Sequence, residues 1–169
     1  MQEAQLRQLF DMYYLPIMRY LIHLTGEVTA AQDLSQKVYL KLYHYGPLNL
    51  ENPRAWLFRV ATNLGYNYLR QRENRIRNEA AAYQAKSEAT DVEEPAVRRE
   101  EKVNVHQILE SMSERDRTCL IMRFSGFSYQ EISEVIGVNK GSVGAILLRA
   151  MRRFRREYEG KGESRDEVL

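Results

Sequence analysis

The sequence predicts an all-α protein in which two small helical domains are joined by a flexible linker. The 169-residue chain holds only nine Gly and four Pro. Apolar residues recur at three- and four-residue steps over most of its length, as on the buried faces of helices. One polar, acidic stretch without this pattern separates two such regions. The predicted boundaries are 1–77 for the first domain, 78–96 for the linker, 97–158 for the second domain and 159–169 for a fraying tail.

The first domain is predicted to be a three-helix bundle. Its first helix spans residues 3–25, and Gly26 ends it. A capping-box pattern from Thr29 to Gln32 opens a second helix, which runs to about Tyr45. The apolar positions of these two helices are Leu6, Leu9, Phe10, Tyr13, Tyr14, Ile17, Leu21 and Leu24, then Leu34, Val38, Leu42 and Tyr45.

The third helix begins at an unusually clear signal, Asn52 as the N-cap followed by Pro53 at the first helical position. It is expected to reach about Arg77, with Leu57, Leu64 and Tyr68 on one face. The composition then changes to Ala, Glu, Gln, Ser and Thr, and an acidic run ends in Pro95. This change predicts the linker.

The second domain is predicted to hold four helices that include a helix-turn-helix. They span about 97–111, 113–124, 132–136 after a capping box at 128–131, and 140–158, and Gly137 lies in the turn between the last two. Residues spaced to pack these last two helices together are Ile132, Ile136, Val138, Val143 and Leu147. A turn with Gly followed by a basic helix is the arrangement by which such motifs bind the DNA major groove.

Positive charge is concentrated in two places although the net charge is only +2. Residues 54–77 carry six Arg against Glu73, and residues 140–158 carry six Lys and Arg against Glu157. Two separated basic clusters on an acidic chain indicate contact with a phosphate backbone at two sites. Two solvent-exposed helix faces are the structural alternative.

Other classes of protein are disfavoured by what the sequence lacks. No apolar run is long enough to span a membrane, and no signal-peptide pattern opens the chain. One cysteine, Cys119, and three scattered histidines give no metal-ligand spacing. With no phosphate-binding Gly-rich loop and no nucleophile–base pair, the sequence favours a cytoplasmic, non-enzymatic protein without metal or cofactor.

Three motifs resemble those of extracytoplasmic-function (ECF) sigma factors of the sigma-70 family. Residues 33–43 (DLSQKVYLKLY) are similar to the second conserved region. Residues 55–70 resemble the promoter-melting helix, through AWLFRVATN and NYLR. Residues 127–132 (FSYQEI) with GSV at 141–143 are similar to the fourth region. The chain departs from the family pattern at Lys37, where Glu is usual, and at Gly144 and Ile146, where Arg or Lys is common.

The resemblance implies a division of labour between the domains. The first would bind the clamp helices of RNA polymerase core through Asp33, Gln36, Lys37 and Leu40, which fall on one helix face. It would hold the single-stranded −10 element through Arg59, Asn63, Tyr66, Asn67 and Arg70, with the loop before that helix. The second would bind the −35 duplex through Lys140, Ser142, Gly144, Ala145, Arg149, Arg152 and Arg153. Trp56 is expected in the core.

The partners implied are polymerase core and promoter DNA, and an anti-sigma factor is a further candidate because such inhibitors are common in this group. A stand-alone helix-turn-helix regulator is the main alternative. Such a regulator would have no need for the exposed face at Asp33, Gln36 and Leu40. A helical scaffold is a further alternative, but it would leave the paired basic clusters unexplained.

Overall fold

A computed structural model describes residues 3–46, 51–86 and 105–163, and within these ranges the chain is all helices and turns, which confirms the predicted fold class. The helices are α1 (Glu3–Thr25), α2 (Val28–Tyr45), α3 (Pro53–Lys86), α4 (Val105–Ser111), α5 (Glu114–Phe124), α6 (Tyr129–Ile136) and α7 (Lys140–Glu163). The predicted helical residues 97–104, and most of the predicted linker and −10 loop, lie outside the described ranges.

Helices α1, α2 and α3 form a bundle around one apolar core. Its completely buried large aliphatic side chains are Ile17, Leu21, Leu24, Val38, Leu42 and Leu57. A hydrogen bond between side chains of α1 and α3 crosses this core. The Thr62 hydroxyl donates to the Phe58 carbonyl at 2.7 Å, so the Tyr20 hydroxyl donates to Thr62 Oγ1, also at 2.7 Å. Burial raises the pKa of Tyr20 to about 12, and the tyrosine stays neutral.

Two details of α2 differ from the sequence-based expectation. The helix begins at Val28 with Glu27 as its N-cap and without a side-chain cap, so the capping box predicted at Thr29 does not form. The Glu27 carboxylate is instead bound by Tyr68 and Arg72 of α3. Tyr45 was expected in the buried stripe but is 78% exposed, because it lies in the last turn beyond the core residue Leu42.

Helix α3 starts as predicted and ends later than predicted. Asn52 caps it, since the Asn52 Oδ1 accepts from the Ala55 amide at 3.1 Å. It passes the expected end at Arg77 and continues to Lys86. The segment after Arg77 is rich in Ala, Glu, Gln and Lys, which are strong helix formers as well as residues common in linkers.

Helices α4 to α7 form the second half of the structure. The predicted caps of α5 and α6 and the predicted start of α7 are confirmed. Ser113 accepts from the Asp116 amide at the start of α5. Ser128 and Glu131 form a reciprocal capping box at α6, and Gly137 ends α6 in the left-handed conformation at φ 69°. Helix α7 continues to Glu163, past the predicted start of the tail at residue 159.

The two halves pack against each other through α3 and α6 and through α1 and α5. The centre of this contact is an edge-to-face pair, Phe58 of α3 and Phe127 before α6, whose ring centroids are 4.6 Å apart. Both rings are almost fully buried. The predicted −10 helix α3 therefore lies against α6, the first helix of the predicted helix-turn-helix.

Candidate polymerase and nucleic-acid interfaces

The predicted polymerase-binding residues share one exposed face of α2. Asp33, Gln36, Lys37 and Leu40 are all exposed, and Leu40 is 57% exposed. The opposite face of α2 is buried in the bundle, so the helix is fixed in orientation. A large aliphatic side chain among polar ones on a fixed helix suits a helix–helix contact with a partner. The structure brings these four residues together as the sequence predicts.

Four of the five predicted −10 residues lie along one exposed face of α3: Arg59, Asn63, Asn67 and Arg70. Arg70 donates to Asn67 Oδ1 at 3.1 Å and holds both oxygens of Glu114 at 3.0 and 3.1 Å. Arg59 donates to the backbone carbonyl of Glu134. Two of the four residues are thus bound to the second half of the chain in this arrangement.

Tyr66 is placed differently from the other four. Its ring is only 5% exposed, and its hydroxyl donates to the Glu114 carbonyl at 2.6 Å. The Thr118 hydroxyl lies 2.9 Å from the Tyr66 hydroxyl oxygen, and burial raises the pKa of Tyr66 above its ordinary value. A base could stack on this ring only after α5 moves away. Trp56 packs against the core, as predicted, and is partly exposed.

Arg54 joins the halves and was not singled out from the sequence. Its guanidinium carbon lies 3.9 Å from the centre of the Phe127 ring, and it donates to Glu131 at 2.6 Å. Nearby, Asn52 donates to Glu134 at 2.8 Å. Burial raises the pKa of Glu131, but hydrogen bonds from Ser128 and the positive charge of Arg54 outweigh burial and lower it overall.

A second ionic link lies at the other end of the contact. Arg72 of α3 donates to Glu27 and to Glu110 of α4, each at 2.7 Å. The Tyr68 hydroxyl donates to Glu27 at 2.6 Å, and this bond, followed by Arg72, lowers the pKa of Glu27. Arg72 therefore ties the start of α2 to α4 through two carboxylates.

The helix-turn-helix forms as predicted, with Ile132, Val143 and Leu147 buried between α6 and α7 and with Ile136 and Val138 at the margin of that core. The outer face of α7 presents Lys140, Ser142, Ala145, Arg149 and Arg152, all exposed, with Gly144 partly covered.

Two arginines of the predicted −35 set already have protein partners. Arg149 donates to the buried carboxylate of Asp116 at 2.9 Å. Arg153 donates to the Ser111 carbonyl at 2.7 Å and to Glu157 at 3.0 Å, and it leans toward α4. Ile146 is 6% exposed and belongs to the core. Ile146 therefore does not belong to the outward face of α7.

The described residues hold no group of His, Cys, Asp and Glu side chains arranged to bind a metal ion. Within the same ranges, no helix combines the length and the apolar character that crossing a membrane requires. Burial raises the pKa of the Cys119 thiol to about 11, so it is an inert core side chain.

Comparison with known proteins gives two family matches in chain order. Residues 9–75 match Sigma-70 region 2, and residues 102–154 match Sigma-70 region 4. The chain is 28% identical over 151 residues to the RNA polymerase sigma-H factor of Pseudomonas aeruginosa, covering 82% of this chain and 78% of the relative. It is 22% identical over 153 residues to the ECF RNA polymerase sigma factor SigM of Bacillus subtilis, covering 89% and 93%.

The fold is also found among solved structures. The sigma factor RpoE of Bartonella quintana, solved in complex with the anti-sigma factor NepR, superposes with a TM-score of 0.62. The match covers 90% of this chain and 96% of that one at 20% sequence identity. At this identity the likeness concerns the fold alone.

Proposed function

Because the chain belongs to the sigma-70 family of RNA polymerase sigma factors, within its ECF group, we propose that α1–α3 and α4–α7 carry separate parts of promoter recognition. Helix α2 binds polymerase core through Asp33, Gln36, Lys37 and Leu40. Helix α3 holds the −10 element through the face from Arg59 to Arg70, together with Tyr66. The outer face of α7, from Lys140 to Arg153, binds the −35 duplex.

The observation that carries this proposal is the pairing of two surfaces in one chain. A fixed, exposed polar face with a central leucine on α2 suits a protein partner. A helix-turn-helix with a basic outer face on α7 suits duplex DNA. A stand-alone regulator would use the second surface and leave the first without a role, so the sigma factor is favoured. Sigma factors are non-catalytic, and the chain is proposed to act in the cytoplasm, beside polymerase.

The packed arrangement of the two halves adds a requirement. Arg59 and Arg70 are bound to Glu134 and Glu114, and Tyr66 is covered by α5. The −10 and −35 elements are separate stretches of one promoter, so the halves must part before each can bind its own stretch. The packed form is therefore proposed to be a resting state that polymerase core opens. An anti-sigma factor, such as the relative RpoE binds, is a candidate for holding it closed.

Run-off transcription with purified polymerase core on a promoter library tests the function directly. Specific transcripts that depend on the added chain are expected. If no template in the library gives a transcript while a known sigma factor activates the same core preparation, the sigma assignment is wrong.

The α2 surface is tested by Gln36→Ala combined with Leu40→Ala. Affinity for polymerase core is expected to fall at least tenfold, because a central apolar contact and a hydrogen-bonding group are lost together, about 1.4 kcal/mol or more. Arg19→Ala, exposed on α1 and outside the proposed surface, is the control. Equal core affinity of the double variant and the control would remove this interface.

The −35 surface is tested by Arg149→Ala. Binding of the holoenzyme to duplex promoter is expected to weaken by about 1–3 kcal/mol if Arg149 contacts a guanine edge, with core affinity unchanged. Arg19→Ala is the control, because Arg19 is an exposed arginine of α1 that lies outside both basic clusters. The same promoter affinity for both variants would place Arg149 outside the groove.

A further inference from the structure

One carboxylate of the second half is buried directly beside the proposed −35 surface. Asp116, in the first turn of α5, is 7% exposed and is the one acidic residue that the described part of the chain buries. Arg149 of α7 donates to Asp116 Oδ1 at 2.9 Å, and Arg115 Nε lies 4.0 Å from the same oxygen. A buried group of α5 therefore contacts an arginine of the proposed DNA-binding helix.

Stability alone gives a weak reason for this ion pair. The Arg149 side chain is 56% exposed, so solvent screens the attraction, and pairs with an exposed partner contribute little to folding. Burial of the carboxylate costs free energy that such a partner offsets only in part. Acidic side chains are favourable in the first turn of a helix, but Glu114 occupies the same turn and remains exposed. A role of the pair outside folding is therefore favoured.

The geometry leaves Arg149 accessible to DNA while it restricts the movement of the side chain. The bond to Asp116 uses Nη2 of a guanidinium that has five N–H groups, so the N–H groups of Nε and Nη1 remain as donors. The side chain lines an open groove on α7 together with Ala145 and Arg152. Helices α5 and α7 pack against each other within the second half, so the pair does not depend on the contact between the halves.

We propose that Asp116 is a positioning residue that makes Arg149 recognise a guanine base in preference to a phosphate. The inference rests on the proposed function, which places the outer face of α7 against the −35 duplex. An arginine loses side-chain freedom when it binds a base edge, and Asp116 has already restricted that freedom in the protein. The carboxylate also offsets the charge that attracts a phosphate, while the remaining N–H groups can still donate to guanine O6 and N7.

The two effects of Asp116 can be measured separately. Base recognition by Arg149 appears as the loss of affinity when one G·C pair is replaced, here called the base-pair penalty. Phosphate binding appears in the slope of log K against log salt, because each phosphate contact adds about 0.9 to its magnitude. Loss of the Asp116 charge should lower the base-pair penalty and steepen the salt slope. A residue that only stabilised α5 would change the free energy of unfolding and neither of these quantities.

The test compares holoenzymes formed with the full chain carrying Asp116→Asn, Asp116→Ala, Arg149→Ala, or Asp116→Asn combined with Arg149→Ala. Affinity is measured for a promoter selected from the run-off library and for versions in which each −35 base pair is replaced in turn. The salt slope is measured on an unrelated duplex. Asp11→Asn, the same chemical change at an exposed position of α1, is the control.

Arg149→Ala is expected to remove the base-pair penalty at one G·C pair. Asp116→Ala should lower the penalty at that same pair by about three- to tenfold, because Arg149 must then be immobilised on binding. Asp116→Asn should lower it less, since the amide oxygen still accepts from Arg149 but without charge assistance. Both Asp116 variants should steepen the salt slope by about 0.9. The double variant should show the base-pair penalties of Arg149→Ala.

Three results would overturn the positioning role. The first is wild-type base-pair penalties at every −35 position in both Asp116 variants. The second is a further change of these penalties when Asp116→Asn is added to Arg149→Ala. The third is tighter promoter binding with unchanged penalties, which would mean that Asp116 withholds Arg149 from DNA. Asp116→Asn keeps the shape of the side chain, so these comparisons stand even if Asp116→Ala does not fold.

Failure of the proposed function gives a different pattern. In that case the wild-type chain neither binds polymerase core nor supports transcription, whatever residue stands at position 116. If the wild type is active and Arg149→Ala removes a base-pair penalty that both Asp116 variants retain, only the positioning role is wrong. Chemical denaturation of the variants, measured in parallel, separates a folding defect from a change in recognition.

Discussion

Arg54→Ala removes two contacts that exist only while the halves of the chain are packed together. The Arg54 guanidinium lies 3.9 Å from the centre of the Phe127 ring and 2.6 Å from a Glu131 oxygen. Arg54 belongs to the first turn of α3, where alanine is a good helix former and a basic side chain opposes the helix dipole. The variant therefore keeps α3 intact while weakening the contact between the halves.

The size of the effect follows from the exposure of these groups. The Arg54 side chain is 34% exposed and that of Glu131 is 18% exposed, so solvent screens the pair in part. The cation–π contact contributes about 0.5–1 kcal/mol in such a setting. The ion pair contributes another ~0.5–1 kcal/mol. Together they amount to about 1–2 kcal/mol, so the ratio of open to packed molecules should rise by roughly 5–30-fold.

Single-molecule energy transfer measures this ratio. Fluorophores are placed on cysteines introduced at Lys41 and Arg155, which are exposed on opposite halves, while the native Cys119 is buried. Arg54→Ala is expected to increase the population with low transfer efficiency. Arg54→Glu should increase it further, because it sets a second negative charge against Glu131. Arg19→Ala, which removes an exposed arginine of α1 that takes no part in the Arg54 contacts, is the control.

The reasoning fails if the distance distributions of Arg54→Ala and Arg54→Glu both coincide with that of Arg19→Ala. Such a result would mean that the packing of the halves does not depend on Arg54. If the wild type and all three variants show mainly low transfer efficiency, the packed form is not the resting state, and that part of the proposed function is wrong.

Two further predictions concern stability. Tyr68→Phe removes the hydrogen bond that contributes most to lowering the pKa of Glu27, so an NMR titration should show that pKa rising toward its ordinary value of 4.5. In the wild type, the stabilisation by Glu27 is present at neutral pH and is lost as pH falls through the lowered pKa. An unchanged pKa of Glu27 in Tyr68→Phe would contradict this prediction. Gly65→Ala should lower the free energy of unfolding by about 1 kcal/mol, because its Cβ would lie 2.5 Å from the buried Leu24 side chain. Gly144→Ala meets only an ordinary contact at 3.6 Å and should raise the free energy of unfolding by about 1 kcal/mol. Chemical denaturation that ranks the two variants the other way would refute the packing argument.

The helices and the helix-turn-helix were predictable because their signals are local. The Asn52 cap, the Ser128–Glu131 capping box and the left-handed Gly137 are each decided by residues within one turn. The exposed face of α2 follows from helical spacing alone. The sequence motifs likewise identify the family, since they combine spacing with residue type over both halves.

The long-range contacts were not predictable in the same way. Burial of Tyr66 and the bonds of Arg59 and Arg70 to Glu134 and Glu114 depend on how α5 and α6 lie against α3. No local pattern determines that placement. The cap of α2 failed for a related reason, since Glu27 gained distant partners that the residues around Thr29 do not reveal. A signal for Arg54 did exist, as a basic residue one position after Pro53, but its partners are more than 70 residues away.

The length of α3 also has a mechanical consequence. Its 34 residues give a rod of about 51 Å. If the rod stays straight, a tilt of about 10° at its Asn52 end moves Lys86 sideways by roughly 9 Å, from the same rise per residue. Small adjustments where the first helical turn is anchored would thus swing the attachment point of the following segment by nearly the diameter of a helix. The geometry makes α3 a lever that converts a small tilt at its start into a large displacement at Lys86.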